Sequence, residues 1–224
     1  MSGGNPLEPG SSFRTSLRTR FPHLRAVVLA PRRWWHDRHW RRLHQELSGP
    51  DRALLEGQVL PALAASATAD APVLFIGVDW YTADYPARFE PGALVTVDID
   101  PAHAQWGAPE HHTLDARELA DAFPPSRFAV VVANGVFGHG LDGVDGIARA
   151  LAGCHSVLTD GGVLLVGWND HDAFRPPPLE PLARAAGFVP EPALGFREWR
   201  TAVEGPLHHV YDVYRRVTPA TPTA

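Results

Sequence analysis

Gly77 closes a short apolar run, Val73-Leu74-Phe75-Ile76, and Asp98 closes the next one, 21 residues further on. A glycine at a strand end lets a ligand approach the backbone, and an acid about 20 residues later can accept both hydroxyls of a ribose. The pair points to a nucleoside-bearing ligand. A third run, Val163–Val166, is followed by Gly167-Trp168-Asn169-Asp170-His171. Open α/β sheets bind ligands beyond the carboxyl ends of their strands, so Trp168, Asn169 and His171 are candidate substrate-binding residues, with ordinary loop residues as the alternative. His36, His39, His44 and the pairs His111-His112 and His208-His209 invite a metal reading. None forms a helical i, i+4 histidine pair or stands beside a cysteine set, so no metal is expected. The chain has no lysine, which removes Schiff-base chemistry and a phosphate-loop lysine. Its single cysteine, Cys154, excludes a disulfide framework and a cysteine zinc cage, and reads as a buried structural thiol in a helix.

These residues need elements to hold them. Val73–Ile76, Leu94–Val97, Phe128–Ala133 and Val163–Val166 are short and continuously apolar, the pattern of parallel strands buried on both faces. His111–Leu114 supplies a weaker strand among them, and the intervening segments suit crossover helices. One helix is expected over Val144–His155, before the Thr159-Asp160-Gly161-Gly162 turn, and another over Pro178–Ala186, closed by Gly187. His208–Tyr214 carries β-branched and aromatic residues and reads as a final strand, antiparallel at or near the edge. Upstream, His36, Trp40, Leu43 and Leu47 share one helix face. A second helix starts at Asp51 as N-cap and runs through Leu63, kinked or divided by Pro61. The expected organisation is a disordered start (1–12), a helical lid or buttress (13–70), one α/β domain (71–217) and a disordered tail (218–224).

With 45% hydrophobic and 20% charged residues among 224, the chain falls in the globular range and can build one full core. It has neither a membrane-length apolar run nor a basic-then-apolar leader, so a soluble, cytoplasmic protein without a membrane partner is expected. The net charge of −5 conceals a basic arm: Arg14, Arg18, Arg20, Arg25, Arg32, Arg33, Arg38, Arg41 and Arg42 face only Glu8 and Asp37. Such an arm could meet nucleic acid or anionic lipid, but docking onto the acidic remainder or a second subunit is the simpler expectation.

Taken in order, these motifs resemble the class I S-adenosylmethionine (SAM)-dependent methyltransferases over residues 73–216. In Val-Thr-Val-Asp-Ile-Asp-Pro, Asp98 matches the family's ribose-binding acid and Ile99 the apolar residue that packs on adenine. Leu-Asp-Ala supplies Asp115 where the family places an acid at the adenine amino group. Phe128–Asn134 is similar to the fourth strand, and Val136-Phe-Gly-His139 resembles the Leu-Glu-His stretch after it. Leu158-Thr-Asp-Gly-Gly-Val-Leu-Leu-Val resembles the family's Leu-Lys-Pro-Gly-Gly turn and fifth strand, and Leu182–Phe188 its Ala-Gly-Phe helix end. The resemblance implies a Rossmann-like, mostly parallel seven-stranded sheet with helices on both faces and an N-terminal helical extension. It also implies SAM as cofactor and S-adenosylhomocysteine as product.

The first motif departs from the family. Where the family reads acid-x-Gly-x-Gly-x-Gly, this chain has Phe75, Gly77, Asp79 and Tyr81. Losing two glycines should change the loop's path or crowd the methionine end of SAM. In a rebuilt loop, Asp79 would hold the ligand's ammonium group, with Trp80 and Tyr81 walling the pocket around the sulfonium. In a cofactor-free site, the same aromatics would simply fill space.

Methyl transfer needs an in-line nucleophile and often a base. His139, after the fourth strand, is the candidate base, with a structural histidine as the alternative, and Asn134 is expected to position cofactor or substrate, with the satisfying of backbone groups at the strand end as the alternative. The leading expectation is in-line methyl transfer to an oxygen or nitrogen of a small or medium-sized molecule, by a monomer or homodimer. The alternatives are a methyltransferase-fold scaffold that has lost SAM chemistry, and a nucleic-acid-associated enzyme using the arginine arm. Against the last, the sheet portion is acidic and lacks the Asn/Asp-Pro-Pro-Tyr/Phe/Trp motif of many base-modifying relatives.

Overall fold

The apolar runs become strands because each is short, bounded by turn residues and buried on both sides. In the computed structural model, which describes residues 49–217, they are β1 (Val73–Ile76), β2 (Leu94–Asp98), β4 (Phe128–Asn134) and β5 (Leu158–Asn169). The more polar β3 (Glu110–Thr113) lies at one edge. The helix expected at residues 36–47, the arginine arm, residues 1–12 and the tail from 218 lie outside the described residues.

The sheet runs β3-β2-β1-β4-β5-β8-β6, where β6 is Phe188–Pro190 and β8 is His209–Arg216. Strands β1 to β5 are parallel, and β8 pairs antiparallel with both β5 and β6. The final strand is antiparallel and near the edge, as expected. The strand number differs: β7 (Arg200–Ala202) also pairs with β8, making eight among the described residues. Three residues without an apolar run leave no periodic signal for such a strand.

Period-two alternation sends Leu74, Ile76, Val131, Ala133, Leu164 and Val166 to one face. There they meet α3 (Leu119–Ala122), α4 (Val144–Val157) and α5 (Leu179–Ala185). Cys154 of α4 is fully buried, and burial pushes its thiol up to about 12, so it stays protonated. Val73, Phe75, Val130, Val132 and Leu165 face the other side. They are covered by α1 (Pro50–Leu54), a π-helical turn (Leu55–Val59) and α2 (Leu60–Ser66).

Gly49, not Asp51, is the N-cap of α1: Pro50 fits the first turn, where a missing N–H leaves no bond unmade, and Asp51 joins that first turn. Pro61 divides the segment. It has no N–H to offer an α-helical bond, and the chain widens ahead of it, with Leu60 N–H reaching back five residues to the Leu55 carbonyl.

Parallel strands leave their carboxyl ends at one edge, so Gly77, Asp98 and Asn134 emerge side by side. Because β8 runs the other way, its first residue, His209, lies opposite Asn169, the last residue of β5.

Candidate active site

At this edge opens a cleft of about 560 Å3. Gly77, Asp79 and Tyr81 line it from the segment after β1, Asp98 and Ile99 from the end of β2, and Asp115 from beyond β3. Asn134 and His139 line it from the end of β4 and the following turn. Of the residues expected at the cofactor and acceptor sites, Trp80, Trp168, Asn169 and His171 are not among its lining residues. His103, Arg117, Val136 and Leu141 also line it and were not in the expected set.

Gly77 has φ +86°, and a Cβ there would lie 3.4 Å from the Val136 side chain. The contact is an ordinary one, so it is the left-handed φ that calls for glycine. The next amide, Val78 N–H, donates to Asp98 Oδ2 at 2.9 Å, and Asp100 N–H donates to Asp98 Oδ1 at 2.8 Å. The carboxylate thereby pins the loop after β1 to the end of β2 while facing the cleft. Beyond Val78 the chain is extended at Asp79 (φ −155°) and coils into a 3₁₀ turn, Trp80–Thr82. Asp79 caps that turn by accepting Trp80 N–H at 2.7 Å, and Asp79 N–H donates to Thr82 Oγ1 at 3.0 Å. No residue from 78 to 82 has positive φ, so the two missing glycines are not required along this path.

Trp80 stands edge-on to Tyr81, ring centres 5.5 Å apart. The Arg52 guanidinium covers Tyr81 at 4.9 Å from the ring centre and donates to its carbonyl. Burial, and then the Asp79 charge, raise the Tyr81 hydroxyl above its ordinary pKa, keeping it a neutral donor.

On the opposite side, Ile99 is 67% exposed, so its apolar side chain is open to a ligand in the cleft. Asp115 is held locally. It caps the turn Ala116–Glu118 by accepting Arg117 N–H at 2.9 Å, and it also accepts Arg117 Nε at 2.9 Å. That arginine pairing holds its carboxyl below the usual range. His103 Nδ1 lies 3.2 Å from Asp98 Oδ1.

At the Asn134–His139 end of the cleft, Asn169 Nδ2 lies 2.9 Å from His139 Nε2, and Asn169 Oδ1 lies 2.7 Å from His209 Nδ1. His209 Nε2 lies 3.1 Å from the Asn134 side-chain oxygen. The His139 ring stacks flat on Phe174, 4.5 Å between centres at 12°. A Cβ on Gly138 would fall 1.8 Å from the Phe174 carbonyl oxygen, so glycine is what allows the loop after β5 to close on this turn. Burial lowers the His139 pKa, partly offset by Asp142, and the ring is neutral at pH 7.

Trp168 is strand rather than loop. Since β5 continues to Asn169, Trp168 faces the α4 side, where its Nε1–H donates to Asp212 at 3.1 Å. His171 accepts Phe174 and Arg175 N–H at its carbonyl, both at 2.8 Å, and so shapes the turn carrying Phe174.

No protein-family model and no curated protein matches the chain. Solved structures do. The 1,6-didemethyltoxoflavin-N1-methyltransferase of Burkholderia thailandensis, solved with 1,6-didemethyltoxoflavin and S-adenosylhomocysteine, is 20% identical over 96% of this chain and 94% of its own, with TM-score 0.51. The fold is that of the class I SAM-dependent methyltransferases. N-methyltransferase NodS of Bradyrhizobium japonicum is 13% identical over 76% of this chain and 99% of its own, TM-score 0.55. A TehB-like SAM-dependent methyltransferase of Corynebacterium glutamicum is 17% identical over 81% and 96%, TM-score 0.54. Methyltransferases of different substrates share this fold, so it is the cleft's own chemistry that argues for a reaction.

Proposed function

We propose that the cleft binds SAM and that the protein transfers its methyl group to an oxygen or nitrogen of a small or medium-sized molecule by in-line displacement. One observation carries the reading: the Asp98 carboxylate, held by the Val78 and Asp100 amides, faces a cleft between Gly77 and the exposed Ile99. In this reading Asp98 accepts the ribose hydroxyls, Ile99 supports the adenine, and Asp79 with the Tyr81 ring faces the cationic methionine end. Bound SAM supplies an electrophilic methyl group. The protein's residues align the acceptor, exclude water and take a proton, with Asn134 orienting the acceptor and His139 as the base.

The acceptor is a small molecule rather than nucleic acid or a membrane, because Asp79, Asp98 and Asp100, beside an Asp115 that Arg117 pairs, leave the cleft net acidic and would repel phosphates. Among the described residues no helix is long and apolar enough to cross a membrane. We place the protein in the cytoplasm as a monomer or homodimer.

The Arg117 pairing of Asp115 favours a second reading, in which an eroded cofactor site serves a non-catalytic binding subunit. Calorimetric titration of the full chain with SAM and with S-adenosylhomocysteine, beside Asp98→Ala, separates the two. Binding that the variant abolishes supports the first; a folded native protein that takes up neither ligand overturns the first and favours the second.

A further inference from the structure

Asn134 and His139 both line the cleft, and the chain joining them passes through the buried Asn169 and His209. Strand register makes the chain possible. Asn134 on β4 lies opposite Gly167 on β5, and Asn169 lies opposite His209 on β8, so Asn134 must reach diagonally across β5 to meet His209. It crosses at Gly167, where a Cβ would fall 1.8 Å from Asn134 Oδ1 and 2.8 Å from His209 Nε2. Any other residue there would sever the link.

The groups in this chain are two-ended. Burial, opposed by Asp51 and aided less by His139, pushes His209 down to about 4, so at pH 7 it has one N–H and one bare nitrogen. Asn169 likewise offers one donor end and one acceptor end. Each link is satisfied only when all members point the same way. In one alignment Asn134 donates to His209 Nε2, His209 Nδ1–H donates to Asn169, and Asn169 donates to His139 Nε2, placing the His139 proton on Nδ1. In the other, His139 Nε2–H donates to Asn169, Asn169 donates to His209 Nδ1, and His209 Nε2–H donates to Asn134. An arrangement with Asn169 Nδ2 toward His139 and Asn134 Oδ1 toward His209 would set two acceptors against each other, so one of the amides turns over in either alignment.

We propose that His209 and Asn169 are positioning residues that set the His139 tautomer and the Asn134 amide direction together, so that the two groups facing the cleft switch as one unit. The consequence for catalysis rests on the methyl-transfer reading. Only the second alignment leaves His139 Nδ1 bare to take a proton from the acceptor, and it simultaneously turns the Asn134 amide N–H toward the cleft. A substrate that presents a hydrogen-bond acceptor to Asn134 therefore readies the base.

The test is nitrogen NMR of the full chain labelled at histidine nitrogens, at mildly alkaline pH where both rings are neutral, with His139→Gln and His209→Gln to assign the signals. The expected result is the same tautomer, or the same ratio of tautomers, at His139 and His209 in the native protein. Asn169→Asp, whose carboxylate accepts from both rings, should make them opposite: Nε2–H at His139 and Nδ1–H at His209. Opposite tautomers in the native protein overturn the proposal, as does a folded Asn169→Asp protein whose tautomers match the native ones. If that variant fails to fold, the native measurement alone decides. S-adenosylhomocysteine affinity of the same samples reports on the methyltransferase reading separately, because no ligand is needed for the tautomer result.

Discussion

Asp98→Asn keeps the side-chain shape and removes the charge, so its cost to ligand binding can be estimated from the bonds present. Both oxygens are already in use, Oδ2 by Val78 N–H at 2.9 Å and Oδ1 by Asp100 N–H at 2.8 Å; a ribose hydroxyl would take the second lone pair of each, on Oδ1 displacing His103 Nδ1, which lies 3.2 Å away. In asparagine one of these positions becomes an NH2. It then opposes a backbone N–H, donor against donor, and cannot accept from the hydroxyl. Losing one hydrogen bond to a charged group costs about 1.5–3 kcal/mol, or roughly ten- to hundredfold in Kd. Asp98→Ala forfeits both ribose bonds and frees the Val78 amide, so its loss should exceed about a hundredfold. Isothermal titration with S-adenosylhomocysteine measures the affinities, and thermal unfolding of the same samples shows whether each variant is folded. If Asp98→Ala is folded and binds within about threefold of the native protein, the ribose assignment is wrong.

Gly77→Ala should lower stability by about 1–2 kcal/mol, the cost of a Cβ at φ +86°, read as a shift in urea midpoint; an unchanged midpoint would refute the left-handed geometry. Arg200→Met should cost about 3 kcal/mol in urea unfolding, because it removes the charge partner of the fully buried Asp212, which Arg200 holds with bonds of 2.6 and 2.8 Å. A loss under about 1 kcal/mol would show that Trp168 and Tyr214 hold Asp212 unaided. His209 titrates near 4 when folded against an ordinary 6.5, so the unfolded chain binds the extra proton and stability falls as pH drops from about 6.5 towards 4. The loss approaches about 1.4 kcal/mol per pH unit, and urea unfolding of His209→Gln should show a shallower acid limb; an identical limb would assign the loss to other groups.

The strands that carry the cleft are legible because burial on both faces forces continuous apolar runs, and the interval from Gly77 to Asp98 is read directly along the chain. The loop between them is harder for a specific reason. Set against a glycine template, Asp79 and Tyr81 look like losses. Asp79 and Thr82 in fact stand three residues apart with the donors and acceptors of a helix cap, and the turn they make needs no positive φ. The signal lay in the spacing of two polar residues, which a search for missing glycines passes over. The same holds at Asp115, whose partner Arg117 is two residues away in sequence and competes for the carboxylate expected to face adenine.

The relay behind the cleft was beyond reach of any local pattern, and the stretch from Gly167 to His171 shows why. Read as a loop, its polar residues form one patch. Once β5 runs to Asn169, alternation divides them: Trp168 goes to the α4 face and the buried Asp212, while Gly167 and Asn169 go to the face shared with Asn134 and His209. Extending the strand by three residues would have made that division readable. Which residues then meet depends on the register of β4 against β5 and of β5 against β8, and those pairings join positions 33 and 40 residues apart in sequence. His208-His209 could be weighed as a metal pair only because both letters are adjacent, yet His208 stands ahead of β8 with φ +47° and the partners of His209 are amides from other strands. A glycine at 167 is equally mute in sequence: its role is the side chain it lacks, and that is visible only when Asn134 crosses above it.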